Sequence, residues 1–293
     1  MENREYVRGG YHLAGIVPIS GQPLDFNFPW NDCLQPIADN YLAVEKAVFD
    51  CVAAGCSTIW VVGHKETQPL VRHRIGDYIT DPVEYAKDIN FRKYPEKQTI
   101  PIYYVPLHPK NLDRRDSYSW SIIEGIEAAY KVSKKISKWI IPDRYFVSFP
   151  YGLYDPVVFY KCRKWITKRN PFYFTYNGES FKDNLYLPFT LNNEDFLKCR
   201  AKFRRKETRA ADINLQPLPK DEAHSGRFFQ HGFVFDDVDT AKAQVVDLSW
   251  YYDISSWEKL KNWLASEKKL DRPSEVLISY GEWNLLGKDN EEE

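Results

Sequence analysis

The sequence offers no cysteine framework. Its five cysteines, Cys33, Cys51, Cys56, Cys162 and Cys199, are odd in number and scattered, with no C-x-x-C pair. That argues against both a disulfide scaffold and a structural zinc site. There is no surplus of either charge: forty basic residues stand against forty-one acidic ones. No global field therefore draws the chain to nucleic acid or an anionic membrane, and any such binding must be local. No N-terminal apolar segment resembles a signal peptide, and no run approaches the roughly twenty apolar residues that a spanning helix needs. These absences predict a soluble chain in a reducing, cytoplasmic setting with no membrane partner. A length of 293 residues is ample for one large α/β domain, since single domains of about 200–250 residues are routine. One domain over 1–293 is the expectation.

Aromatic residues are plentiful, with twenty tyrosines and nine tryptophans. Flat rings stack on sugar faces, but they also fill cores and favour strands. Composition alone names no ligand.

The first half alternates strand and helix signals. Leu13-Ala14-Gly15-Ile16-Val17-Pro18-Ile19 is a short apolar run of the kind buried on both faces of a sheet. Val44, Ala47, Val48, Cys51 and Val52 share one face of a helix that ends at Gly55. Thr58 to Val62 and Ile100 to Val105 read as strands, with a helix around Gln68–Tyr78 between them. Asp116 or Ser117 caps a further helix whose apolar positions are Ile122, Ile126, Ala129 and Ile136. Tyr145 to Phe149 is a fourth strand. This order predicts an α/β fold: a mostly parallel mixed sheet flanked by helices on both faces, with right-handed crossovers. Ligands then sit beyond the carboxyl ends of the strands, in the loops after Ile19, Val62, Val105 and Phe149.

The second half is an aromatic and basic elaboration at about 157–231. A helix spans Phe159 to Trp165, and an aromatic strand, Pro171 to Tyr176, meets a turn at Asn177-Gly178. Asn193 caps a helix carrying Phe196, Cys199 and Phe203 on one face. The same segment holds Lys198, Arg200, Lys202, Arg204, Arg205, Lys206 and Arg209, the densest basic cluster in the chain. It reads either as a phosphate or nucleic-acid patch or as the polar face of an amphipathic helix, and it is the one place where a nucleic-acid partner would sit. Residues 207–225 read as a linker. Gly232 to Phe235 and Val245 to Leu248 look like strands flanking the acidic Asp236-Asp237-Val238-Asp239 loop, whose spacing is not that of an EF-hand. Ser255 and Glu258 form a capping box for a helix over 256–266 that buries Trp257, Leu260 and Leu264. The terminal 288–293 is a charged tail.

Three segments, in order, resemble one family. They are Ala14-Gly15-Ile16-Val17-Pro18-Ile19-Ser20-Gly21, Pro29-Trp30-Asn31-Asp32-Cys33-Leu34-Gln35-Pro36-Ile37, and Ala54-Gly55-Cys56 followed by the strand to Val62. With Trp250-Tyr251-Tyr252-Asp253-Ile254 near the C-terminus, they resemble the sugar-nucleotidyltransferases of the glycosyltransferase-A type, nucleotide-diphospho-sugar transferase fold. The resemblance implies a nucleotide or nucleotide-sugar ligand, magnesium or manganese as cofactor, and Asp253 as a metal ligand. It places Ser20, Gly21 and Gln22 in the nucleotide loop.

The chain departs from that pattern where the chemistry is hardest. The loop Ser20-Gly21-Gln22-Pro23-Leu24-Asp25 lacks the family's arginine, and Asn31-Asp32-Cys33 stands where its lysine is expected. Gly152 falls where the second metal-binding aspartate belongs, with Asp155 as a displaced substitute or a turn cap. Nucleotidyl transfer builds negative charge that metal ions and cations must stabilise. Lys65, His108 and Lys110 are candidate replacement cations or solvated surface residues. Three readings therefore stand: a nucleotidyltransferase, a glycosyltransferase using a nucleotide sugar although no convincing Asp-x-Asp motif appears after a strand, and a noncatalytic binding, assembly or structural protein on a degenerate transferase fold, with a protein assembly partner.

Overall fold

Strand β1 (Leu13–Pro18) is apolar at every position because both of its faces are covered. Leu13 and Val17 join one core with helix α1 (Ala43–Ala54), while Ala14 and Ile16 join a second core on the opposite side. The computed structural model describes residues 11–21, 30–81, 99–136, 141–207 and 226–273.

β1 lies near the middle of an eight-stranded sheet. Its neighbours are β4 (Thr58–Gly63) and β7 (Arg144–Val147), both parallel to it. Beyond β4 come β6 (Thr99–Pro106), parallel, and the antiparallel edge strand β5 (Tyr78–Thr80). Beyond β7 come β10 (Phe189–Leu191), antiparallel, then β9 (Phe172–Thr175) and β11 (Gln244–Asp247), which are parallel to each other. The order is β11-β9-β10-β7-β1-β4-β6-β5. It is the mostly parallel mixed sheet expected from the sequence.

Helices cover both faces. α1 and α5 (Val157–Ile166) lie on one side, packing Val48, Cys51, Phe159 and Cys162 against the sheet. On the other side lie α4 (Tyr118–Ile136), α6 (Asn193–Lys206) and the short α7 (His231–Phe235), with Ile122, Ile126, Phe196, Phe203 and Phe235 inward. Two shorter helices complete the first half: α2 (Gln68–Ile75) and α3 (Pro109–Arg115). α1 ends as its sequence requires, at Gly55 with φ 87°, a left-handed conformation that glycine adopts without strain. Arg163 donates to the Val52 and Ala53 carbonyls there and pairs with Asp81. All five cysteines are buried free thiols. Among the described residues, no helix is long and apolar enough to cross a membrane.

A third core sits apart from the two sheet faces. β12 (Tyr252–Asp253) pairs antiparallel with β8 (Gly152–Leu153), and α8 (Trp257–Leu264) follows it. Ile254, Leu260, Trp263 and Leu270 pack there with Tyr151, Leu153, and Ile37 and Tyr41 of the small β2 (Pro36–Ala38) and β3 (Tyr41–Leu42) ribbon. The C-terminal element thus closes over the loop that follows β7.

Several expectations need correction. Gly232 to Phe235 is helical: the Gly232 N–H donates to Asn184 Oδ1, and Val234 and Phe235 are buried while Phe233 points out. A four-residue apolar run fits either period, and packing decides. The acidic segment 236–239 therefore links a helix to a strand rather than two strands. Asn192, not Asn193, caps α6, accepting from Asp195 N. Ser256, not Ser255, caps α8, and packing against the third core buries Leu260 and Trp263 while Trp257 and Leu264 are exposed. Ile136, the last residue of α4, is also exposed. Tyr78 begins a strand rather than ending a helix. The expected linker from 208 and the tail at 288–293 lie outside the described residues.

Candidate functional site

The carboxyl ends of β1, β4 and β7 meet at one edge, where Ser20, His64 and Asp116 come together. After β1, Ser20 is buried; its Oγ donates to Asp116 Oδ1 at 3.0 Å, and its carbonyl accepts from Ser121 Oγ at 2.7 Å. His64, immediately after β4, places Nε2 2.9 Å from Asp116 Oδ2. Asp116 is free for this because Ser117 takes the cap of α4, accepting from Trp120 N. The carboxylate holds one ring nitrogen and raises the imidazole above the usual histidine range, against a smaller opposing effect of burial. The sequence marked the loop after Val62 for search; the pairing with Asp116 depends on two loops meeting and had no local signal.

Gly21 packs directly against Tyr118, with a Cβ at this position falling 3.0 Å from the ring. Gln22 lies outside the described residues. Lys65 and Lys110 are exposed, and the Lys110 backbone N–H donates to His108 Nδ1, which caps α3. Nothing brings these two lysines together with Asp253. The basic residues of α6 lie elsewhere: Arg200 pairs with Glu127, Lys202 with Asp236 and Asp237, and Lys198 with Asp195. Arg209 is outside the described residues.

Asp253 stands directly across from Gly152 in the β12–β8 ladder. The residue opposite the aspartate is a glycine, and its surroundings leave no space for a side chain. A Cβ on Gly152 would collide with the Tyr186 carbonyl oxygen and lie 3.1 Å from the Tyr251 ring. Below it, Lys46 Nζ donates to the Gly152 carbonyl at 2.5 Å and pairs with Asp50 at 2.7 Å, both fully buried. Tyr154 and Ser148 donate to the same Asp50 oxygen. Burial pulls the Lys46 ammonium below its usual range, opposed by Asp50. A buried pair like this contributes little net stability but costs about 3–5 kcal/mol when one partner is removed.

The Asp253 carboxylate is already engaged. Oδ1 accepts from the Ser255 N–H at 2.7 Å, and Oδ2 pairs with Lys259 Nζ at 2.5 Å. Asp155 accepts from the Val157 N–H at the entrance to α5. A divalent metal shared by two carboxylates therefore does not fit this site: one position has no side chain and no room for one, and the other carboxylate holds an ammonium. No group of three or more His, Cys, Asp or Glu residues that could hold a metal occurs among the described residues.

Between Gly21 and Asp253 runs a layer of rings. Tyr118 meets Tyr151 and Tyr186 edge-on, and Tyr186 and Phe149 flank His231 at 5.3 and 5.0 Å. His231 is fully enclosed, with Nε2 3.0 Å from the Leu185 carbonyl. Burial depresses its pKa to about 4, so the ring is neutral. Burial also raises the Tyr186 phenol, with the Asp253 charge adding to the shift.

Similar architectures occur among solved structures. A Bacillus anthracis protein assigned as a glucose-1-phosphate thymidylyltransferase, in complex with a sucrose, superposes with TM-score 0.53 at 10% identity, covering 90% of this chain and 98% of that one. The fold is that of the sugar nucleotidyltransferases. A nucleoside-diphosphate-sugar pyrophosphorylase from Vibrio cholerae RC9 gives 0.49 at 10% identity, covering 86% and 100% of the two chains. A UDP-glucose pyrophosphorylase from Acinetobacter baumannii gives 0.47 at 12% identity, covering 87% and 92%. The chain matches no protein-family model and no curated protein sequence. At these identities the nucleotidyltransferase fold is shared, and the site must be argued from its own residues.

Proposed function

We propose that this protein binds a nucleotide or nucleotide sugar at the carboxyl edge of its central strands, and that it does not transfer nucleotidyl groups by the two-carboxylate metal route. The observation that carries the second half is the register: Asp253 faces Gly152, where the Tyr186 carbonyl leaves no space for a side chain. The first half is supported by the shared fold, by the usual place of ligands in open α/β sheets, and by the polar group of Ser20, His64 and Asp116 at that edge. Removing one preorganised charge-stabilising group costs about 3–4 kcal/mol of transition-state stabilisation. A site lacking one metal carboxylate and the loop arginine is expected to give up more than that.

The test has two arms. Calorimetry against nucleoside triphosphates and nucleotide sugars should detect binding, and a pyrophosphate-release assay with the same triphosphates, sugar phosphates and magnesium or manganese should detect no turnover. A flat calorimetric panel would remove the ligand reading and leave the assembly role. Metal-dependent pyrophosphate release that disappears in Asp253→Asn would restore nucleotidyl transfer, the second reading, which the carboxyl-edge position of Asp253 favours.

A further inference from the structure

Resting on that binding site, we infer that Lys259 is a tethered cation standing where a divalent metal would be needed, so that an anionic ligand of the phosphate or diphosphate class is held directly by its ammonium and without metal. Lys259 lies in the first turn of α8, six residues after Asp253. Its Nζ reaches back to Asp253 Oδ2 at 2.5 Å and to Ser255 Oγ at 3.4 Å. An ammonium has three donors; these two contacts leave one, and half of the side chain is exposed, against 20% for Asp253. The head group is thus oriented by the protein, with one donor not used by these two contacts.

Charge balance supports the assignment. Two carboxylates and a divalent ion sum to zero; here the facing carboxylate is missing, and one carboxylate with one ammonium again sums to zero. A site keeping Asp253 but lacking Lys259 would present a bare carboxylate to an incoming phosphate, which is repulsive. Asp253 in this reading is a positioning residue, fixed by the Ser255 N–H, and Lys259 is the group that touches the ligand. The capping of α8 by Ser256 serves the same geometry, because it sets the turn on which Lys259 projects toward Asp253.

The experiment is isothermal calorimetry on the full chain with inorganic pyrophosphate, UTP and dTTP, each in EDTA and again in excess magnesium. Wild-type affinity is expected to be the same in both. Lys259→Met should lose about 10- to 100-fold, the worth of one charged hydrogen bond, while Lys259→Arg keeps most of the affinity. Asp253→Asn separates the two roles by sign: a metal ligand would be lost with its ligand binding, whereas removing a carboxylate beside a tethered ammonium keeps or raises anion affinity. Binding that requires magnesium, or that is unchanged in Lys259→Met, overturns the assignment while leaving the nucleotide-binding reading intact. No binding of any probe to the wild type overturns both. Lys259 is half exposed, and a matching thermal melt of the variant shows that any loss is local.

Discussion

His231 and Gly152 are neighbours in the aromatic layer through Tyr186, and each fixes a measurable limit. His231 is neutral in the folded chain with a pKa of about 4, below its ordinary value near 6.5. The unfolded chain therefore binds the extra proton first as pH falls. Its contribution to stability is fully present above about 6.5 and is lost progressively down to about 4, by on the order of 3 kcal/mol. Urea denaturation at pH 7 and pH 4.5 should show this drop, and His231→Gln should flatten it. His64 carries the opposite sign: its raised pKa gives a contribution present below about 6.5 that fades as pH rises through the folded value. Asp116→Asn is expected to lower the His64 titration midpoint, read by NMR, and to remove that fade. At Gly152, alanine meets the Tyr186 carbonyl and should cost about 1–3 kcal/mol as an overpacked site, measured by denaturant midpoint. Gly152→Asp should be worse still, and should not create magnesium-dependent pyrophosphate release.

At the scale of elements, the long periodic signals were legible and the short ones were not. Helix α1 and its Gly55 stop and strands β1, β4 and β6 follow from local sequence, through the helical spacing of α1 and the continuous apolar runs of buried strands, whereas the sequence allows Asp116 or Ser117 as the α4 cap and the cap falls on Ser117. Gly232 to Phe235 failed because four apolar residues carry no period, and the Asn184 side chain and the Lys182 carbonyl settle the backbone from 48 and 50 residues away. For α8 the capping-box pattern of Ser255 and Glu258 points one residue early, and burial of Trp263 rather than Trp257 depends on the third core, which no local signal shows. The candidate site divides in the same way. The pairing of Asp253 with Gly152 was readable as a motif with a missing partner, whereas Lys259 and the His64–Asp116 pair were not, because they depend on side chains folding back across a turn or between loops. Ser256→Ala should cost about 1 kcal/mol. It should also weaken the pyrophosphate binding that Lys259 provides, which calorimetry on the variant would read.

For the molecule as a whole, the site rests on a core distinct from the two that hold the sheet. Trp263 anchors that third core: its Nε1–H donates to the Ile37 carbonyl at 2.8 Å, its ring stacks on Trp250 at 6.0 Å, and Tyr252 meets it edge-on. Glu45, buried at the start of α1, receives both Arg74 and Arg272, which ties the segment after α8 to the first half of the chain. Neither attachment belongs to the hydrogen-bond ladders of β1, β4 and β6. Local stabilities can differ across one structure when cooperative units have separate cores. Trp263→Ala removes the ring and leaves the Ile37 carbonyl unpartnered, at a cost of about 3–5 kcal/mol. Hydrogen exchange read by mass spectrometry should then accelerate over 250–265 and over 36–43, with β1, β4 and β6 still protected and far-UV circular dichroism nearly unchanged. Uniform acceleration across the sheet would mean that the C-terminal element and the sheet unfold as one unit, and that the site cannot be loosened without losing the fold that carries it.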